Sequence, residues 1–402
     1  MDEDVAVTNF RRYIRINTEQ PNPNYAECKD FLFALGKGLG FQTRSYECVP
    51  GKPIIWLTKP GTDPSLKSLV LYSHTDVVPT FKDNWIYDPY AAVKDSKGRI
   101  YGRGTQDMKC VGIQYLEAIR RLMQKGKGEF RRTVHVVYGP DEEIGSVEGM
   151  KMFVETEEFK NLNVGFCLDE GLATPEDHYK VFYAERHPFG VKVTCSGATG
   201  HASRLLEDTA GEKLNGVIKL FLTWREDQKA HLEANSDTLT LGDVTSCNFT
   251  KIEGGVQQNV VPPEFHAYFD IRITPRDDFD DINAKIADLC LQAGEGVTYT
   301  PVRQPVMRPN KFYTLDKADP WWSVFSSVLE ENKLDYKPEI FIGATDSRFF
   351  QHAGYKSIGF SPMKNTPTLL HEDNEYLTED EFLRGVAVYE KLIYALANNE
   401  YD

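Results

Sequence analysis

The sequence has no apolar run of about 18 residues, the minimum for a membrane-crossing helix. Its opening, MDEDVAVTNFRRY, carries acids where a secretory signal would need basic residues followed by an apolar stretch. Both absences lead to the expectation of a cytosolic, cytoplasmic protein with no membrane partner. There is no dense Lys/Arg tract either, and 46 basic against 60 acidic residues leave a net charge of −14, which repels phosphate backbones. Nucleic acid is therefore not an expected partner. The seven cysteines (Cys28, Cys48, Cys110, Cys167, Cys195, Cys247, Cys290) form no CxxC pair, so neither a disulfide framework nor a cysteine-zinc knuckle is expected. They read as reduced, mainly buried thiols. Cys110 falls near an expected helix start, but no histidine lies close in sequence to activate it. Internal repeats and low-complexity tracts are missing too, which excludes a repeat array.

What remains is a chain of 402 residues, 41% hydrophobic and 26% charged, with the balance of a soluble globular protein and the length of two domains. The first 185 residues alternate short apolar strands (PIIWLT, SLVLYSH, RRTVHVVYG, NVGFCLDE) with helical patterns, which predicts an α/β domain. The strongest helical pattern runs from Gln106 to about Gln124, with Met108, Val111, Tyr115, Ile119 and Leu122 on one face and Asp107 in the first turn. From about Arg186 the order becomes strand VKVTCSG, helix EDTAGEKLNGVIKLFLTWRED, strand LTLGDVTSCNFTKIEG, strand NVVPPEFHAYFDIRITP, helix DDFDDINAKIADLCLQAG and strand GVTYTPV. That β-α-β-β-α-β order predicts a ferredoxin-like α+β domain. Helices and strands of the first kind resume after Pro305, so residues 186–305 read as an insertion into a catalytic domain formed by residues 1–185 and 306–402.

Five short stretches carry chemistry. In LYSHTDVVP an apolar strand ends in His74 and Asp76, which share a face because alternate strand residues point the same way. A metal-binding imidazole benefits from a carboxylate on its other ring nitrogen. GRGTQDMKC places Asp107 at the head of a helix, GPDEEIGS puts three acids directly after a strand, FCLDEG ends another strand in Asp169 and Glu170, and TLLHEDNE sets His371 near the chain's end. Singly, each has an ordinary structural explanation: a cap, a solvated turn, a buried structural histidine. Together they put carboxylates or histidine at the ends of three strands of one α/β domain, where such sheets bind ligands. Clustered carboxylates repel one another unless cations are present, and His plus carboxylate ligands suit zinc, manganese or cobalt. A two-metal hydrolase reconciles these features.

The phrases SHTDVVP, RGTQDMKC, PDEE, LDEG, SGATGHAS, EGGVQQNVVP, GATDSR and LLHEDNE, in this order over the full length, resemble the co-catalytic zinc family of aminoacylases, carboxypeptidases and desuccinylases, and its aminoacylases above all. The resemblance implies two Zn2+ per subunit, with His74 and Glu170 on one ion, Glu143 and His371 on the other, and Asp107 bridging. It implies Asp76 as the carboxylate behind His74, Glu142 as general base, and a cis peptide bond from Asp107 to Met108. It also implies that His201, in the glycine-bearing loop SGATGHAS, reaches the partner subunit's active site in a homodimer formed through the inserted lid domain. The choice of Glu170 over Asp169 rests on the resemblance alone.

The activity so implied is hydrolysis of N-acyl-L-amino acids, preferably N-acetylated aliphatic ones, with a dipeptidase or carboxypeptidase of the same family as the alternative. The substrate's free carboxylate calls for a planar cation, for which Arg348 in GATDSR, assisted by Asn259, is the candidate. Arg272 in FDIRI is a further candidate that could equally pair with an acid in its own strand. One stretch departs from the pattern: YAERHPFG, Tyr183 to Gly190, stands where YSERSPWW-like residues are expected. A non-catalytic binding protein of the same fold would have lost Glu142 or a ligand, and a metal-free two-carboxylate hydrolase would leave His74 and His371 without roles.

Overall fold

The computed structural model describes residues 3–303 and 312–400; the expected domain junction at Pro305 lies outside them. The chain divides into two compact units, one formed by residues 1–183, 313–338 and 345–402, the other by residues 184–312 and 339–344.

The first unit is built on an eight-stranded sheet in the order Gln42–Val49, Lys52–Lys59, Val134–Gly139, Ser68–His74, Val164–Asp169, Lys356–Gly359, Tyr179–Glu185, Tyr336–Phe341. Its central strands run parallel: Ser68–His74 pairs in parallel with both neighbours, and Lys356–Gly359 with Val164–Asp169. Every residue of Ser68–His74 is buried, as a strand covered on both faces must be. Leu69 and Leu71 join the core under the helices Val5–Ile14, Lys109–Gln124 and Glu379–Ala397, while Tyr72, on the opposite face, meets Phe350 edge-on at 5.8 Å. Because these strands are parallel, their carboxyl ends share one edge of the sheet. His74, Gly139 and Asp169 end them, and each leads into one of the acid-bearing stretches.

The helix expected from Gln106 begins at Lys109, so Asp107 precedes it and does not sit in its first turn. Upstream, the N–H groups of Gly104 and Gln106 turn onto the carboxylate of Glu375 and take no part in a helix. The Asp107–Met108 peptide is cis. Lys109 is buried with its amine on the Ile16 carbonyl at 2.7 Å and over the Tyr13 ring.

In the second unit the order is strand His187–Ser196, helix Ala210–Ala234, strand Ser246–Gly254, strand Glu264–Ile273, helix Phe279–Ala293, strand Val297–Arg303. The sheet order is Ser246–Gly254, Glu264–Ile273, His187–Ser196, Val297–Arg303, all pairs antiparallel, which is the ferredoxin-like arrangement. The expected single strand from Asn259 is broken: Pro262 and Pro263 have no N–H to donate, so a short piece, Val260–Val261, pairs instead with Gly200–His201. The strand expected from Leu239 starts only at Ser246, after a tight turn at Leu241–Asp243 capped by Thr240. The first helix starts at Ala210, where Thr209 and Glu212 form a reciprocal cap, and runs on to Ala234. In the departing stretch YAERHPFG, Phe189 is packed in this unit's core against Phe279.

The strand end at Gly139 has no room for a side chain: a Cβ there would lie 1.9 Å from the Tyr72 hydroxyl. Tyr72 is itself held by a hydrogen bond to Asp346, so it cannot withdraw freely. Gly139→Ala is expected to destabilise the protein by roughly 1–3 kcal/mol through overpacking. An unchanged denaturation midpoint would show that the strand end can relax.

Candidate metal centre

His74 is fully buried at its strand's end. Its Nε2 lies 3.0 Å from Asp107 Oδ1 and 3.7 Å from Glu170 Oε2, and its Nδ1 lies 2.9 Å from the backbone carbonyl of Asp76. The carboxylate of Asp76 is farther, at 3.7 Å, and is otherwise engaged. It accepts the N–H groups of Glu142 (3.0 Å) and Glu143 (3.2 Å) and the Gln20 amide at 2.8 Å. The residue expected behind His74 thus meets the ring first through its main chain, keeps its carboxylate within ion-pair reach of it, and uses that carboxylate to fix the acid turn.

That turn separates its three acids by direction. Asp141, in the left-handed backbone region at φ 65°, points away and is taken by Lys52, the Tyr25 hydroxyl at 2.7 Å and Gln20 at 3.2 Å. Glu143 reaches His371 Nε2 at 3.1 Å, and its other oxygen is buried without a partner. His371 Nε2 is also 3.3 Å from Asp107 Oδ2, so the two oxygens of Asp107 face two different imidazoles. At the next strand end, Asp169 turns aside to accept Thr345 Oγ1 at 3.1 Å and the Glu170 N–H at 2.7 Å, while the Glu170 carboxylate approaches His74.

Two ligand sets result, sharing one residue: His74, Asp107 and Glu170, and Asp107, Glu143 and His371, with donor atoms in each within 4.8 Å of one another. Among the described residues, no lysine or arginine comes within ion-pair distance of Asp107, Glu143 or Glu170. The electrostatic consequence is visible in the protonation equilibria. Burial, then the charge of Asp107, pushes Glu143 up to about 7, and the same two causes raise Glu170 well above the carboxylate range. Hydrogen bonds that His371 donates to Asp107 and Glu143 push it up to about 10. For His74 burial opposes the charged ring, but Glu170 and Asp107 outweigh it and raise its pKa; for Asp107 burial is outweighed by His371 and His74 and the pKa falls. Protons are here doing what cations would do better. The orphaned Glu143 oxygen and a donor set of imidazole and carboxylate fit two divalent ions of the zinc, manganese or cobalt kind.

Glu142 lies beside a ligand residue; burial, with Asp346 and Glu143 adding repulsion against His74, raises its pKa well above the ordinary value. Arg348 lies in the short helix Ser347–His352, largely buried, with Nη2 3.3 Å from the Gly145 carbonyl at the end of the acid turn and Nε unpartnered. The sequence profile of peptidase family M20/M25/M40 matches residues 70–395, the span that holds both ligand sets, Glu142 and Arg348.

The chain belongs to that family. Mouse aminoacylase-1 is 50% identical over 399 residues, covering 98% of this chain and 96% of its own, and human aminoacylase-1 is 48% identical over 99% of this chain and 96% of its own. A solved M20-family metallo-carboxypeptidase from Sulfolobus solfataricus shares the fold at TM-score 0.73 and 17% identity, covering 99% of this chain and all of its own.

The remaining candidates lie in the second unit. His201 is exposed on the strand Gly200–His201; its Nδ1 accepts the Ser203 N–H at 3.2 Å and lies 2.8 Å from Ser203 Oγ. Asn259 is adjacent, its carbonyl accepting the Ala202 N–H at 2.9 Å and its side-chain oxygen the Gln257 amide at 2.8 Å. Arg272 is bound to Asp270 on its own strand, Nε to Oδ1 at 2.6 Å. Sequence reasoning passed over Gln20, Asp346 and Glu375, which touch the site's residues from a distance. Glu375 stood inside a quoted motif, TLLHEDNE, and only its donors, far away in sequence, reveal what it does.

Proposed function

We propose that this protein is a zinc-dependent amidohydrolase that splits N-acyl-L-amino acids, acetylated aliphatic ones foremost, into a carboxylate and a free amino acid. The observation that carries the reading is identity of about half over nearly the whole chain to proteins named aminoacylase-1, together with two His/Asp/Glu groups that could each hold a metal ion. His74, Glu170 and Asp107 would hold one ion, and Asp107, Glu143 and His371 the other. Bound there, the ions would supply Lewis-acid activation of water and of the amide carbonyl. The family membership supports a small-molecule amide substrate, and no helix of the described residues is long and apolar enough to cross a membrane.

Glu142 takes the proton of the attacking water and passes it to the amine nitrogen as the C–N bond breaks. Its raised affinity for a proton, from burial and neighbouring acids, suits that shuttle. Asp76 fixes the direction of Glu142 and Glu143 through their N–H groups. Arg348, with Asn259, takes the substrate carboxylate; Arg272 is a weaker candidate because Asp270 already occupies it. His201 donates to the developing oxyanion: the Ser203 N–H on Nδ1 makes that nitrogen the acceptor, which leaves the ring proton on Nε2. It does so in the partner subunit of a homodimer joined through the inserted domain. A cytoplasmic setting accords with seven free cysteines.

Assay of N-acetyl-methionine and other N-acetyl amino acids against dipeptides, with zinc restored after chelation, is expected to show release from the acylated substrates and little from dipeptides; the reverse would make the protein a dipeptidase. Glu142→Gln is expected to retain metal and lose turnover by about 10²–10⁴. Near-wild-type turnover would remove Glu142 from the mechanism. Mixing inactive His201→Ala with inactive Glu142→Gln is expected to restore part of the activity, because one site of the mixed dimer is intact. Confirmed heterodimers that stay inactive would refute the shared site.

A further inference from the structure

Glu375 is completely buried, yet among the described residues the hydrogen bonds of its carboxylate come from no metal-ligand side chain. Its Oε2 accepts Arg103 Nη1 at 2.8 Å and the Gly104 N–H at 3.1 Å, and its Oε1 accepts the Gln106 N–H at 2.6 Å, Thr105 Oγ1 at 3.3 Å and, at the limit, the Asp107 N–H at 3.4 Å. One carboxylate thus gathers the whole backbone turn that delivers Asp107. Burial raises its pKa, against the charge of Arg103 and the amides that favour the anion.

Arg103 extends the grip to the other side of the centre. It is 2% exposed, its guanidinium lies over the Trp85 ring at 5.3 Å, and its Nη2 reaches the His371 carbonyl at 3.4 Å. His371 needs such a hold. Its side chain is 49% exposed and its backbone sits at φ 60°, in the left-handed region, so packing does little to fix it. His74, by contrast, is locked at the end of a buried strand. The ion pair therefore ties together the two loops whose spacing the second ligand set requires, while the strand ends hold much of the first set without it. An apolar replacement of the pair would strand the N–H groups of Gly104, Gln106 and Asp107 and leave the His371 carbonyl without its Arg103 donor, so packing alone does not account for a charge here.

We propose that Glu375 is a positioning residue which, through Arg103, sets the separation of Asp107 and His371 and so the affinity of the Asp107, Glu143 and His371 set for its ion. This rests on the two-ion reading above. The test is calorimetric zinc titration of chelator-stripped, full-length wild type, Glu375→Gln, Arg103→Lys and, as a control, Glu381→Gln, whose carboxylate is also buried but serves the Lys364 N–H at 2.9 Å. Circular dichroism of the stripped proteins accompanies it. Wild type and Glu381→Gln are expected to bind two equivalents alike. Glu375→Gln and Arg103→Lys are expected to keep native dichroism, bind one equivalent almost normally and the second about 10–100-fold more weakly, with activity lost at low zinc and recovered at high zinc. Normal affinity for both equivalents in Glu375→Gln would overturn the proposal, as would loss of the native fold in both variants, which would make the pair purely structural. Fewer than two equivalents in wild type would instead remove the two-ion reading itself.

Discussion

The arrangement depends on one electrostatic fact: Asp107, Glu143 and Glu170 share a small space with two imidazoles and no lysine or arginine within ion-pair reach among the described residues. Like charges so placed cannot all ionise in a partly desolvated site, and the raised proton affinities of Glu143, Glu170 and both histidines express that conflict. Two divalent ions resolve it. Asp107 is the residue that makes the solution binuclear, since each of its oxygens faces a different histidine.

The fold brings these groups together by a simple device. Three adjacent parallel strands end on one edge, and their last residues or the turns that follow supply His74, Glu142, Glu143 and Glu170. The strands are buried on both faces, so the starting points of those turns are rigid. The turns themselves are steered by groups that never meet an ion: Asp76 holds the acid turn, Asp169 turns away to leave Glu170 inward, and Glu375 holds the turn before Asp107. Shells of this kind govern metal affinity nearly as much as the ligands do.

How far this was legible in the sequence follows from the range of each interaction. Strand and helix periodicity are local, so the α/β unit and the ferredoxin-like unit could be read directly, including the order of the inserted elements. The start of the helix at Lys109 could not: its apolar spacing continues back to Met108, but a distant carboxylate takes the preceding N–H groups. The break at Pro262 and Pro263 was readable in principle, since two prolines cannot continue a central strand. His74, Glu143, Glu170 and His371 were found because each follows an apolar run, and Asp107 because it heads an amphipathic helical pattern; their convergence was argued from the strand ends, and their assignment to particular ions came from resemblance. The task of Asp76 was half legible: its neighbourhood with His74 is local, whereas its hold on Glu142 and Glu143 joins two strands far apart in sequence. Arg272 illustrates the reverse, a charged residue whose nearest partner was two positions away all along.

The most direct test of the shared binuclear centre is X-ray absorption at the zinc edge on protein reloaded with two equivalents. A metal–metal scattering distance of about 3.5–4 Å, nitrogen and oxygen neighbours only, and loss of the metal–metal feature in Asp107→Ala are the predicted results. Isolated zinc with no second metal within that range, or a coordination shell containing sulfur, would contradict the account.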